Sequence, residues 1–122
     1  MTKAEAVQSF WSGFGVPAYE MSSVPQEAQL PYITYDFSTG SFGEEVNLSA
    51  SLWCRSHSWT ECNAKTEEIS RKIGHGGTVI PCDGGAIWIK KGQPFAQSMG
   101  DPTDQALKRK YINITAEFNT KD

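Results

Sequence analysis

A strict alternation of apolar and polar side chains over residues 46–55 restricts the possible folds of this chain more than any other feature. Because successive side chains of a strand point to opposite faces of a sheet, the segment is predicted to be a strand with one buried face. Trp53 is the exception, since this large aromatic residue falls among the outward, polar positions. The apolar positions of the segment are Val46, Leu48, Ala50, Leu52 and Cys54.

Two further segments have the periodicity of amphipathic helices. Thr2 and Glu5 form a capping box ahead of the first helix. Ser58 and Glu61 have the same spacing ahead of a second helix, which runs to about Ile73. Apolar residues spaced three and four apart predict the buried face of each helix. These faces are Val7, Phe10, Trp11 and Phe14 in the first helix, and Cys62, Thr66, Ile69 and Ile73 in the second.

A β-hairpin is predicted over residues 78–90. Its turn, Asp83-Gly84, suits the two-residue type I′ geometry, in which both central residues have positive φ. Both faces of this hairpin are partly apolar, so the face that carries Trp88 is also expected to meet protein. The register implied by the turn pairs Ile80 with Ile87, Thr78 with Ile89, and Val79 with Trp88.

The element order is α-β-β-α-β-β-β-β, which indicates an α+β fold with a mostly antiparallel sheet and two helices on one face. With 122 residues, of which 39% are hydrophobic, the chain can close one core, and we expect a single domain over residues 1–122. Residues 15–31 contain three prolines and are expected to be irregular. The other predicted strands cover residues 31–37, 94–99 and about 106–118, and residues 78–118 should form a meander.

Cysteines and histidines are the residues that most suggest an active or metal site. Only Cys54 and His57 have the tight spacing of a zinc-ligand pair, and no nucleophile signature surrounds any of the three cysteines. We therefore predict no catalytic residue, metal or cofactor, and three reduced, buried thiols. A small thiol- or metal-dependent enzyme is the minor alternative, and its residues would be Cys54, His57, Cys62, His75 and Cys82.

The net charge of −3 conceals an uneven distribution along the chain. Residues 1–54 contain one basic and six acidic residues, a net charge of −5, whereas residues 55–122 contain ten basic and eight acidic residues, a net charge of +2. A generic nucleic-acid binder is usually clearly basic, so that class is disfavoured. Two surfaces of opposite charge would instead suit a self-associating subunit.

Outward aromatic and basic side chains indicate a contact surface. Trp53 and Trp88 fall on outward strand faces, where large aromatic residues are typical of interfaces. Antiparallel pairing could bring the two basic clusters, at residues 90–91 and 108–110, onto one edge of the sheet. In the alternative interpretation, a helix or loop covers the tryptophans and the basic clusters protect an exposed strand end. The candidate interface residues are Trp53, Trp88, Lys90, Lys91, Lys108, Arg109 and Lys110.

Several segments resemble the tail terminator, or head–tail joining, proteins of long-tailed phages and of prophages in Gram-positive bacteria. The resemblance extends over most of the chain and consists of core, turn and interface residue types. The segments are Gly15-Val16-Pro17-Ala18-Tyr19, Ser23-Val24-Pro25, Pro31-Tyr32-Ile33-Thr34-Tyr35, Leu52-Trp53, Gly84-Gly85-Ala86-Ile87-Trp88-Ile89, Lys91-Gly92-x-Pro94 and Tyr111-Ile112-Asn113.

This resemblance implies an α+β virion subunit, made in the host cytoplasm, that forms a ring at the junction of tail and head. The ring, commonly a hexamer, caps the tail tube, ends its polymerisation and offers a docking surface to the head. The implied partners are other copies of the chain, the tail tube protein and a head-completion or connector protein. DNA would pass through the ring without sequence-specific binding, and no cofactor or membrane is implied.

Two other classes of function remain open at the level of sequence. Another neck or minor capsid joining protein would share the size and the α+β style of a tail terminator. A small-ligand binding module would be a monomer or dimer with a defined pocket.

Overall fold

The structure, a computed structural model, describes residues 1–121 and contains two helices and one six-stranded sheet within them. The strands lie in the order β1-β2-β3-β6-β5-β4, with β1 parallel to β2 and every other pair antiparallel. This confirms the predicted α+β class, although the sheet is mixed. Asp122, the last residue of the predicted domain, lies outside the described residues. The elements are α1 (Lys3–Ser12), β1 (Ala18–Glu20), β2 (Tyr32–Tyr35), β3 (Glu44–Arg55), α2 (Thr60–Ile73), β4 (Thr78–Cys82), β5 (Gly85–Gly100) and β6 (Leu107–Thr120).

Both helices pack against the same face of the sheet, as predicted. Buried side chains from α1, from α2 and from alternate positions of the strands form one hydrophobic cluster. Helix α1 contacts both edge strands, β1 and β4, whereas α2 contacts β3, β5 and β6. The helices therefore cover one face together, and the opposite face receives no helix.

The first helix forms as its sequence predicts. The Thr2 side chain accepts a hydrogen bond from the Glu5 amide at 3.1 Å, and the Glu5 carboxylate accepts one from the Thr2 amide at 2.8 Å, so the capping box is confirmed. All four predicted apolar residues of this helical face are buried. Each such side chain contributes about 2 kcal/mol through burial, which anchors α1 across the sheet.

The second capping box is wrong, although the helix after it is confirmed. Helix α2 begins at Thr60 with Trp59 as its N-cap, and no side chain caps it. The Ser58 hydroxyl accepts a hydrogen bond from the Thr60 amide at 3.1 Å. Ser58 precedes the N-cap residue Trp59 by one position, so this bond does not cap the first turn. The predicted apolar face is buried, because its spacing does not depend on where the helix starts.

Three predictions about the strands are corrected by the structure. Residues 85–90 and 94–99 belong to one long strand, β5, whose pairing with β6 is interrupted by a register shift between Lys91 and Ala96. The predicted irregular segment 15–31 contains β1, which is only three residues long and so shows no alternation. Strand β6 reaches Thr120, past its predicted end near Phe118.

The predicted hairpin is confirmed in register but not in turn type. Val79 pairs with Trp88, and the two predicted pairs on the other face also form. No residue other than glycine has a positive φ among the described residues, so Asp83 does not adopt the type I′ conformation. Gly84 alone supplies the positive φ, at +83°, between the two strands' ends. Strands β4, β5 and β6 form the predicted meander.

Candidate subunit interface

The sheet face opposite the helices, here called the open face, carries both outward tryptophans. Trp53 on β3 pairs with Arg109 on β6, and Trp88 on β5 pairs with Glu117 on β6. Arg109 and Glu117 are eight residues apart on one strand, so they share a face and lie about 26 Å from each other. The two tryptophans therefore mark opposite ends of the same surface.

A cluster around Trp53, here called the Trp53 patch, consists of Trp53, Met99, Leu107, Arg109 and Tyr111. The Arg109 guanidinium carbon lies 4.9 Å from the Trp53 ring centroid and 5.2 Å from that of Tyr111. Cation–π contacts of this kind contribute about 1 kcal/mol at partly exposed sites. Trp53, Met99, Leu107 and Arg109 also line a shallow cavity of about 210 Å³ at the end of the sheet.

Buried hydroxyl groups fix the orientation of this patch. Trp53 Nε1 donates a hydrogen bond to Thr34 Oγ1 at 3.0 Å, and Arg109 Nε donates one to Ser51 Oγ at 2.9 Å. Thr34 and Ser51 are themselves buried beneath the larger side chains. The sheet therefore presents a pre-ordered aromatic and cationic surface, of which Met99 is 38% exposed.

A second cluster, here called the Trp88 patch, consists of Val79, Trp88 and Lys90. Val79 is 62% exposed, and Lys90 Nζ lies 4.3 Å from the Trp88 ring centroid. Lys90 Nζ also forms a 2.8 Å ion pair with Glu45, and this hydrogen bond raises the pKa of Lys90. Lys90 therefore has an acidic partner within its own chain, which weakens the expectation that it binds an acidic neighbour.

Trp88 also has a role inside the subunit. Its Nε1 donates a hydrogen bond to the Gly76 carbonyl oxygen at 3.0 Å, which ties the segment after α2 to the sheet. Replacing Trp88 would remove this tie as well as any intermolecular contact. Trp53 likewise donates a hydrogen bond inside the subunit, to the Thr34 hydroxyl, so a test of assembly at either tryptophan needs a parallel measurement of folding.

Gly77 is expected to accept no side chain, because its φ is +87° and a Cβ atom there would lie 2.6 Å from both the Ile89 carbonyl oxygen and Trp88 Nε1. Replacing Gly77 with alanine should lower the free energy of unfolding by about 2 kcal/mol, as measured by urea denaturation. Gly76→Ala is the matched control, since a Cβ at Gly76 meets nothing within 4 Å, and its effect should stay below about 0.5 kcal/mol. Equal effects of the two substitutions would contradict the packing described for Trp88.

The other predicted interface residues do not join the open face. Lys91 lies on the same face of the sheet as Ile87 and Ile89, which is the face covered by the helices. Lys108 and Lys110 lie over the Trp59 ring, with their Nζ atoms 5.5 Å and 5.4 Å from its centroid. The seven candidates thus divide into four on the open face and three on the helix side.

The prediction that the basic clusters share one edge of the sheet is wrong. Strand β6 lies between β3 and β5, and β5 lies between β6 and β4, so neither cluster is on an edge strand. The strand order does not test the alternative in which the basic clusters protect an exposed strand end, because a central strand also has ends. The sequence alone suggested an edge because it gives no information about the pairing of β3 with β6.

Sequence reasoning missed three members of the Trp53 patch. Leu107 and Tyr111 lie two residues before and after Arg109 on β6, so the alternation of this strand contained the signal needed to find them. Met99 pairs with Arg109 only because of the register shift in β5, which no local pattern predicts.

The acidic and the weakly basic parts of the sequence contribute different strands to the sheet. Residues 1–55 form α1 and strands β1 to β3, and the following residues form α2 and strands β4 to β6. The sheet order places these two groups of strands on opposite sides of the β3–β6 pair. The strands of the acidic part and those of the weakly basic part therefore lie on opposite sides of the β3–β6 boundary, whereas α1 contacts both edge strands.

The residues of the thiol or metal alternative are not gathered into one centre. Cys54 and Cys62 are adjacent, with their Sγ atoms 2.6 Å apart, whereas Cys82 is at the end of β4 and both histidines are exposed. Within residues 1–121, no group of three histidine, cysteine or acidic side chains is arranged to hold a metal ion.

Neither helix among the described residues has the length and apolar character needed to cross a lipid bilayer. Comparison with known proteins identifies no matching family model, no similar curated protein and no similar solved structure.

Proposed function

We propose that this chain is a structural subunit of a phage virion, which assembles into a ring, most simply a hexamer, on the end of the tail tube. In this function the ring stops polymerisation of the tube and offers a surface to the head-completion or connector protein. DNA passes through its centre without sequence-specific contacts, and the chain itself performs no catalysis. The resemblance of its sequence segments to tail terminator proteins motivates the proposal.

The observation that carries the proposal is the open face with its two aromatic patches. A subunit that functions alone has little use for Trp53 and Trp88 on a surface that no helix covers. Aromatic and arginine side chains are enriched among the residues that contribute most to protein interfaces. The Trp53 patch combines both types, and its orientation is already fixed before any partner binds.

The distribution of charge agrees with assembly into a ring. Closure of a ring requires that one surface of a subunit meets a different surface of the next. An acidic side and a weakly basic side of the same sheet meet this requirement, since copies arranged head to tail bring opposite charges together. A two-fold symmetric dimer would satisfy the same charges only if the acidic side of each copy lay on the basic side of the other.

The first test of the proposal is the mass of the purified chain, measured by light scattering after size-exclusion chromatography. Six copies of a 13.5 kDa chain predict a particle of about 80 kDa, which should appear as a ring in negative-stain images. The second test is co-expression with the tail tube protein of the same genome, in which the chain should bind tube ends and shorten the tubes.

The outcomes separate the alternatives. A chain that ignores tail tubes but binds filled heads supports another neck or minor capsid protein and contradicts the tail terminator function. A stable monomer or dimer that affects neither structure contradicts both virion functions. That result, together with a bound small molecule, would support a ligand-binding module.

A further inference from the structure

We propose that Cys54 and Cys62 form a reversible oxidation site, which hydrogen peroxide converts into a disulfide within the chain. This inference does not depend on the proposed function. It rests on the position of the two sulfur atoms, on the charges beside them and on a cavity that reaches one of them.

The fold brings the two thiols into direct contact. Cys54 is the second-last residue of β3, and Cys62 is the third residue of α2, so the connection between strand and helix folds one residue onto the other. Their Sγ atoms are 2.6 Å apart, and both cysteines are free thiols. A movement of about 0.5 Å would bring the sulfur atoms to the length of a disulfide bond.

The surroundings favour a thiolate at Cys62 rather than at Cys54. The Cys54 thiol donates a hydrogen bond to the Cys62 sulfur, and this bond lowers the pKa of Cys62, with a further contribution from the ammonium group of Lys110. The same hydrogen bond raises the pKa of Cys54. Cys62 also lies in the first turn of α2, where the partial positive charge of the helix N-terminus favours a thiolate. The pair therefore loses its first proton more easily than an isolated buried thiol.

A cavity gives a small oxidant access to Cys54. The cavity has a volume of about 160 Å³ and is lined by Val16, Pro31, Leu52, Cys54 and Lys65, among others. Cys54 is 7% exposed, whereas Cys62 lies behind it and is 1% exposed. Hydrogen peroxide fits such a space, but the tripeptide disulfide of glutathione does not reach the inner sulfur. The geometry thus assigns Cys54 as the residue that peroxide oxidises first and Cys62 as the residue that completes the disulfide.

The reaction balances with hydrogen peroxide as the only oxidant. After the pair has lost one proton, the thiolate lies mainly on Cys62; transfer of the remaining proton from Cys54 to Cys62 gives the minor form, in which the Cys54 thiolate faces the cavity. This thiolate attacks one peroxide oxygen, the O–O bond breaks, and a Cys54 sulfenic acid and hydroxide form. Hydroxide takes the proton of Cys62, whose thiolate then attacks the Cys54 sulfur and releases a second hydroxide. That hydroxide takes up the proton first lost, so two thiols and one peroxide give a disulfide and two waters.

The test uses the full chain, reduced, treated with hydrogen peroxide, and then unfolded and alkylated. We expect one alkylated thiol instead of three, a mass lower by about 2 Da before alkylation, and a peptide cross-link between Cys54 and Cys62 that dithiothreitol reverses. Cys82→Ser is the matched control and should keep the cross-link, because Cys82 takes no part in it. Cys54→Ser should remove it.

Peptide mapping of the wild-type chain decides the question even if a variant fails to fold. Recovery of Cys54 and Cys62 as alkylated thiols after peroxide treatment would overturn the proposal, as would oxidation confined to Cys82. A cross-link between two chains through Cys54 or Cys62 would also overturn it, since the proposed disulfide lies within one chain.

Discussion

Replacing Trp53 with glutamate should leave the subunit folded and prevent its assembly. Glutamate would face Arg109, which lies over the Trp53 ring in the wild-type chain, so a new ion pair replaces the lost cation–π contact. The apolar surface offered to a neighbouring copy would disappear. A central tryptophan contributes about 2 kcal/mol or more to an interface, so the subunit concentration required for assembly should rise at least about 30-fold. Light scattering over a dilution series measures this concentration.

Phe42→Glu is the matched control for this prediction. Phe42 lies in the segment before β3, is largely exposed, and is not part of either patch on the open face. This variant makes the same change from aromatic to acidic residue at another exposed position, and it should assemble like the wild-type chain. Assembly of Trp53→Glu at wild-type concentrations would show that the open face is not the interface. Loss of assembly in both variants would indicate a general effect of negative charge.

Replacing Trp11 with alanine should lower the free energy of unfolding by about 3–5 kcal/mol. Trp11 is among the largest fully buried side chains, and its ring packs edge-on against Phe10 at a centroid distance of 5.0 Å. Its removal leaves a cavity beneath the helix that contacts both edge strands, and the surrounding rings cannot fill that cavity completely. Urea denaturation, followed by circular dichroism, measures the loss.

Ser9→Ala provides the reference for that measurement. Ser9 lies on the exposed side of the same helix, so this substitution should change the free energy of unfolding by less than about 0.5 kcal/mol. A loss below about 1.5 kcal/mol in Trp11→Ala would contradict the assignment of Trp11 to the centre of the core.

The parts of the fold that the sequence predicts correctly are those determined by local periodicity. The buried face of α1 follows from residues three and four apart, and the alternation in β3 follows from a period of two. The pairing of Val79 with Trp88 follows from the short turn between their strands, even though the turn type was wrong. In each case the relevant contacts lie within about one element or one turn of the chain.

The parts that the sequence does not predict depend on contacts between distant residues. Strand β1 is a strand only because Ala18 to Glu20 pair with β2, and three residues carry no periodic signal. The residues of the candidate interface differ from the predicted set for the same reason. Trp53 and Arg109 are more than fifty residues apart in the sequence, and they come together because β3 pairs with β6. Lys110, next to Arg109, points to the other face and lies over Trp59.

The central position of β6 has a consequence for synthesis of the chain. Strand β6 pairs over most of its length with both β3 and β5, yet it is the last of the described strands to be translated. Until it leaves the ribosome, β3 lacks one neighbour and the two sides of the sheet have no strand to join them. Because pairings between distant segments form slowly, the nascent subunit spends this period with its apolar face incompletely covered. Completion of the sheet, and any association that needs the finished open face, therefore follows translation of β6.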